Sequence, residues 1–283
     1  KDTVLSGRSF AKGGETFAGH VQSAQNETQR LNGYLITNPE KWDYVFLQEQ
    51  SRVPAFRDVH PEYDKSLNAS IQLVDYVRQT GGRPIFYQTW GQRQGDKFFP
   101  EFLKDFKTSQ DRIVYGYNGY VEASTTGNDV PLLAPVGLAF EYIYDSIVSR
   151  GDDPLDPSSD FYALYHTDGS HPSPLGSYLA ACVLYGTASR RDPVNLLFLP
   201  AELDAVALVA GGHDEVFHPV HRADDGKPIR GEGPQPGIGP DDVQILEAGY
   251  ETDGVSGDLL DHPGGRAGVV TGEISAVADE QIA

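Results

Sequence analysis

The residues best suited to chemistry lie in one short stretch, Tyr165-His-Thr-Asp-Gly-Ser-His-Pro-Ser-Pro-Leu-Gly-Ser-Tyr178. Asp168 stands three residues before His171, and Ser173-Pro174 then open a helix. A carboxylate at that spacing can bind one ring nitrogen of the histidine and fix its tautomer. The other nitrogen is then left to take a proton from a nucleophile. A helix N-terminus close by disfavours the imidazolium, which keeps His171 ready to act as a base. Gly169 and the prolines supply the tight backbone that brings both side chains to one side. The same residues also permit a solvent-exposed turn that only caps a helix, or a metal site made by His166, Asp168 and His171. No further ligand cluster stands out, and the sequence assigns neither a metal nor a cofactor.

The elements around this stretch alternate strand and helix to about residue 190. Val4 to Ser9 and Trp42-Asp-Tyr-Val-Phe-Leu-Gln48 read as buried strands, and Pro61 to Gln79 as a helix with Leu67, Ile71, Val74 and Val77 on one face. Gly81-Gly82 stops that helix. Pro84 to Trp90 and Val130 to Pro135 are further strands. Helical signals cover Thr28 to Ile36, Phe98 to Ala123, Phe140 to Val148 and, from Ser173 as N-cap, Pro174 to about Ala188. This order predicts a three-layer α/β/α domain over residues 1–211, its mostly parallel sheet wound in a flavodoxin-like way. Sites in such sheets lie in the loops after the strands. Those loops carry Gln48 and Gln50, then Trp90 and Arg93, which suit contacts with a sugar ring and an oxygen-rich substrate. Glu49 and Asp96 also fit a paired-carboxylate site. Cys182, the lone cysteine, reads as a small buried hydrophobe.

Charge separates the rest of the chain. The whole sequence carries a formal net charge of -19, which argues against nucleic acid or anionic membranes as partners. Residues 212–283 hold 15 acidic against 4 basic side chains and are rich in glycine and proline, so they read as an acidic tail or a small irregular module. His213, His218 and His221 lie there without a visible packed frame. No apolar run reaches the length of a membrane span. The sequence opens straight into a strand-like segment without an initiator methionine, as a domain entered partway would, and gives no targeting signal from which to read localisation.

Asp168-Gly-Ser-His171 followed by Pro-Ser-Pro-Leu-Gly-Ser-Tyr-Leu-Ala-Ala resembles the last signature block of the SGNH (GDSL-like) hydrolases. Trp42 to Ser51 resembles the third-block strand and loop of that family. Gly13-Gly14-Glu-Thr16 with His20 is similar to its second block. The resemblance implies an esterase in which His171 and Asp168 complete a triad with serine. It also implies an oxyanion hole from the Gly14 backbone and an amide side chain, for which Gln48 or Gln50 stands where the family usually has asparagine. Uncharged donors of this kind stabilise the oxyanion of acyl transfer by several kcal/mol.

The family places its serine at the end of the first strand. Gly7-Arg-Ser9 fits superficially, but only about 33 residues separate Ser9 from Trp42, too few for a first helix, a second strand and the Gly13-Gly14 turn. Val4 to Ser9 is therefore expected to be the second strand, with the nucleophile upstream of Lys1. The implied substrate is a small-molecule or carbohydrate ester carrying an acetyl or short acyl group. The alternative is a non-catalytic binding module that keeps the cleft without a nucleophile.

Overall fold

The computed structural model describes residues 6–39, 41–191 and 193, together with the backbone of 266–270. Five parallel strands form the sheet: β1 (Ser6–Ser9), β2 (Tyr44–Leu47), β3 (Arg83–Tyr87), β4 (Leu132–Ala134) and β5 (Arg266–Val270). Their spatial order is β1-β5-β2-β3-β4. In the flavodoxin-like order 2-1-3-4-5, the edge beside the first strand belongs to the second. β1 holds that edge, as expected of Val4 to Ser9, and β5 occupies the first-strand position beside it. Of the segment 212–283, only β5 belongs to the described residues. The reading of the remainder as an acidic tail, with His213, His218 and His221, lies outside them.

Alternation along the strands builds the layers. Val45 and Leu47 of β2 and Phe86 of β3 enter one apolar cluster, while Phe46, Ile85 and Tyr87 enter the other. The first cluster is covered by α1 (Phe17–Gln25), α3 (Pro61–Gln79) and α4 (Phe106–Ser124), through residues such as Phe17, Leu73, Val77, Ile113 and Tyr117. The second is covered by α5 (Val136–Ser149) and α7 (Pro174–Ser189), with the short α6 (Asp160–Ala163) packed beside α5. A sheet buried on both faces needs apolar residues at both parities, which is why β2 and β3 read as continuous apolar runs.

The helix Pro61–Gln79 falls where its periodicity and its glycine stop place it. Elsewhere the boundaries shift for local reasons. The Phe98 to Ala123 helix begins only at Phe106, because Asp105 caps it, its side chain accepting from Thr108 N at 2.7 Å. The Thr28 to Ile36 helix is a single turn, α2 (Arg30–Asn32), continued as a π-helical turn over Gly33–Thr37. α1 has no counterpart among the sequence expectations. Its signals are the Thr16 N-cap and the spacing of Phe17, Val21 and Ala24, in a nine-residue stretch diluted by polar residues. Tyr117 and Tyr120 are buried packing residues of α4. Cys182 is half-buried on α7 rather than fully enclosed. Among the described residues, no helix is long and apolar enough to cross a membrane.

Candidate active site

Asp168 and His171 meet as their spacing requires. Asp168 Oδ1 accepts from the backbone N–H groups of Ser170 at 2.9 Å and His171 at 3.0 Å, an Asx turn that needs only consecutive residues. Asp168 Oδ2 lies 2.6 Å from His171 Nδ1. Burial works against ionisation of this carboxyl. The hydrogen bond from His171, those from the two backbone groups and the charge of the ring together outweigh it and bring the carboxyl down to about 2. The pair is about half exposed, at 46% for Asp168 and 53% for His171. With Nδ1 engaged, Nε2 of His171 is the nitrogen available to a nucleophile.

Short-range bonds close this loop on itself. His166 N donates to His171 O at 2.8 Å, Gly169 N donates to His166 O at 3.0 Å, and Tyr165 and Pro172 form an isolated bridge. Gly169 turns the chain at φ +70°, a left-handed conformation that a β-carbon disfavours. Ser173 then caps α7, accepting from Gly176 N.

The facing wall is assembled from distant segments. A cleft beside the pair is lined by Gln48 and Ser51 after β2, by Thr89, Trp90 and Gln92 after β3, and by Ser170 and Pro172. Gln48 is 1% exposed and its Oε1 has no partner among the described residues. Gln50 is not part of the lining, and its side-chain oxygen is engaged by Arg52 N at 2.9 Å. The structure therefore places Gln48, rather than Gln50, at the cleft. Gly14 is exposed in a turn at φ +68°, two residues before the Thr16 cap of α1. Among the described residues no hydrogen bond joins it to Gln48 or His171.

Glu49 ties these two segments together. Fully buried, it accepts from Phe17 N, the first residue of α1, with both carboxylate oxygens at 3.1 Å. It also accepts from Gln50 N at 2.7 Å and from the Ser66 hydroxyl of α3. Its own N–H donates to the Tyr117 hydroxyl at 3.2 Å. Burial raises its carboxyl to about 7 against these hydrogen bonds. His20 of α1 is buried too. Desolvation lowers it to about 4, and its Nε2 has no partner among the described residues. Asp96 is engaged by Arg52, by Gln92 Nε2 at 2.9 Å and by Phe98 N at 2.7 Å. Glu49 and Asp96 thus each serve a hydrogen-bond network of their own and do not pair across an open cleft.

Trp90 lines the cleft, yet it is 8% exposed. One face stacks on Phe140 at 4.7 Å and its Nε1 donates to Ser170 O at 3.0 Å. Arg93, expected to meet substrate, instead lies beneath the 166–169 loop, 4% exposed and apart from the cleft lining. Ser9 is exposed at the end of edge strand β1, two strand spacings from β2, or about 10 Å. It makes no hydrogen bond with His171 among the described residues. Among those residues, no group of three or more His, Cys, Asp or Glu side chains is placed to hold a metal ion. The alternation of buried parallel strands with helices, and the Asp168–His171 contact ahead of the last described helix, give the chain an SGNH-like α/β fold.

No protein-family model matches the chain, and no curated protein matches it significantly. Among solved structures it is similar to a DUF4886 family protein from Bacteroides uniformis, with 20% identity and a TM-score of 0.51, over 69% of this chain and 75% of the other. That likeness is one of fold. A candidate SGNH hydrolase from Slackia heliotrinireducens is 26% identical over 62% of this chain and 80% of its own, with a TM-score of 0.46.

Proposed function

We propose that this chain is an SGNH-type serine hydrolase domain that cleaves an acetyl or short acyl ester, with a small molecule or a carbohydrate as the alcohol. The observation that carries the reading is the 2.6 Å contact between His171 Nδ1 and Asp168 Oδ2, at the edge of a cleft lined by uncharged polar groups and one tryptophan. In this reading a serine hydroxyl attacks the ester carbonyl while His171 Nε2 takes its proton. Asp168 holds the ring and stabilises the imidazolium that forms. Gln48 and the Gly14 backbone donate to the oxyanion. Collapse expels the alcohol, which takes the proton from His171, and water then releases the acid by the same route. No cofactor takes part. In this reading the nucleophile is the serine that the resemblance places upstream of Lys1. Ser9 is the alternative.

Hydrolysis of p-nitrophenyl acetate tests this in the chain as given, in a form extended upstream and in its His171→Ala variant. Activity in the extended form alone, lost on mutation, is the expected outcome. Activity in the chain as given that Ser9→Ala abolishes would move the nucleophile to Ser9. Silence in both forms would favour a binding module that keeps the cleft without turnover.

A further inference from the structure

The Asx turn explains how Asp168 and His171 find each other, but not what holds their loop against the sheet. Four contacts from the loop after β3 do so. Trp90 Nε1 donates to Ser170 O, and Arg93 N donates to Gly169 O at 2.8 Å. Tyr165 OH donates to Gly91 O at 2.7 Å. Fourth, the Arg93 guanidinium reaches the carbonyls of Tyr162 at 3.4 Å and His166 at 3.5 Å. It lies 3.6 Å from the centre of the Tyr162 ring, and a β-carbon at Gly169 would sit 3.5 Å from its Nη2.

Arg93 is an unusual choice for mere packing. It is a buried cation whose polar partners are carbonyl oxygens rather than a carboxylate, and its Nε has no partner among the described residues. Desolvating a guanidinium without a counter-ion is costly, and the Tyr162 face returns only part of that cost. A methylene-rich apolar side chain would fill the space without the penalty. What the guanidinium adds is one nitrogen, Nη1, shared between the carbonyls at the two ends of the segment leading into Asp168, with Nη2 against Gly169, the next residue.

We propose that Arg93 is a positioning residue for the Asp168–His171 pair, setting their loop over the cleft. The proposal rests on the hydrolase reading for its kinetic consequence, but not for its structural one. Arg93→Met removes the shared donor at similar volume, and Arg93→Lys keeps the charge without the planar guanidinium. The ring nitrogens of His171 are read by 15N NMR at alkaline pH, in the chain as given and in each variant. The chain as given is expected to show the tautomer protonated at Nδ1. Arg93→Met is expected to shift the ring toward the Nε2-protonated form, and Arg93→Lys to restore it in part. In the extended, active form, kcat falls on the order of 10- to 100-fold with KM within about twofold. An unchanged tautomer in Arg93→Met overturns the proposal, as does a kcat within about twofold of the parent. If Arg93→Met does not fold, Arg93→Lys decides by the same readouts. If no form hydrolyses esters, the hydrolase reading fails while the NMR comparison still tests the positioning role.

Discussion

The two walls of the cleft are built in opposite ways. The Asp168–His171 wall is exposed and its pair is organised locally, a carboxylate and a histidine three residues apart set by hydrogen bonds within residues 165–173. The wall that carries Gln48 is non-local and buried, its neighbour Glu49 joined to Phe17 across 32 positions, to Ser66 across 17 and to Tyr117 across 68. A local turn pays little loop-closure entropy and can sit in water. The non-local joint must exclude water to hold its shape, and so depends on the whole core. The first wall should therefore tolerate substitution structurally while losing chemistry, and the second should do the reverse.

The largest expected effect falls on the exposed wall. His171→Ala should reduce ester hydrolysis by the extended form by at least about 10³-fold, while its thermal midpoint stays close to the parent's, since the ring is half exposed. A matching collapse of stability would break the contrast. On the buried wall, Glu49→Ala leaves the N–H groups of Phe17 and Gln50 and the Ser66 hydroxyl without their acceptor. It should lower unfolding free energy by about 3 kcal/mol in denaturant titrations.

Titration sharpens the comparison. Glu49 is raised from 4.5 to about 7, so the folded state binds the extra proton between those values and this contribution to stability declines as pH rises through them. His20 is lowered from 6.5 to about 4. The unfolded state binds the extra proton there, and its contribution is present above pH 6.5 and lost as pH falls toward 4. The two slopes oppose each other where they overlap. Glu49→Gln should remove one of them, so that stability then rises with pH between about 5 and 6.5, by on the order of 1 kcal/mol. An unchanged pH profile in that variant would show that Glu49 does not titrate in this range.

A smaller effect is expected at Gly169. A β-carbon there meets only ordinary contacts, so Gly169→Ala carries mainly the left-handed backbone strain, about 1 kcal/mol by equilibrium unfolding. Ser9→Ala should change neither activity nor stability measurably, since the hydroxyl is exposed on an edge strand.

What was legible in the sequence follows the same division. Asp168, His171, the Ser173 cap and the Pro61–Gln79 helix are all local patterns, and each appears in the structure at its expected place. The buried strands were visible because a sheet covered on both faces requires apolar residues at successive positions, as in Val45-Phe-Leu47. Four things only the tertiary structure decided: that Gln48 rather than Gln50 lines the cleft, that Arg93 lies under the Asp168–His171 loop, that Glu49 bridges to α1, and that 266–270 fills the first-strand position. Each depends on which segments far apart in the chain become neighbours. Side-chain type and spacing fix the bonds a short segment makes with itself, whereas burial and partners across the sheet are set only when the core closes.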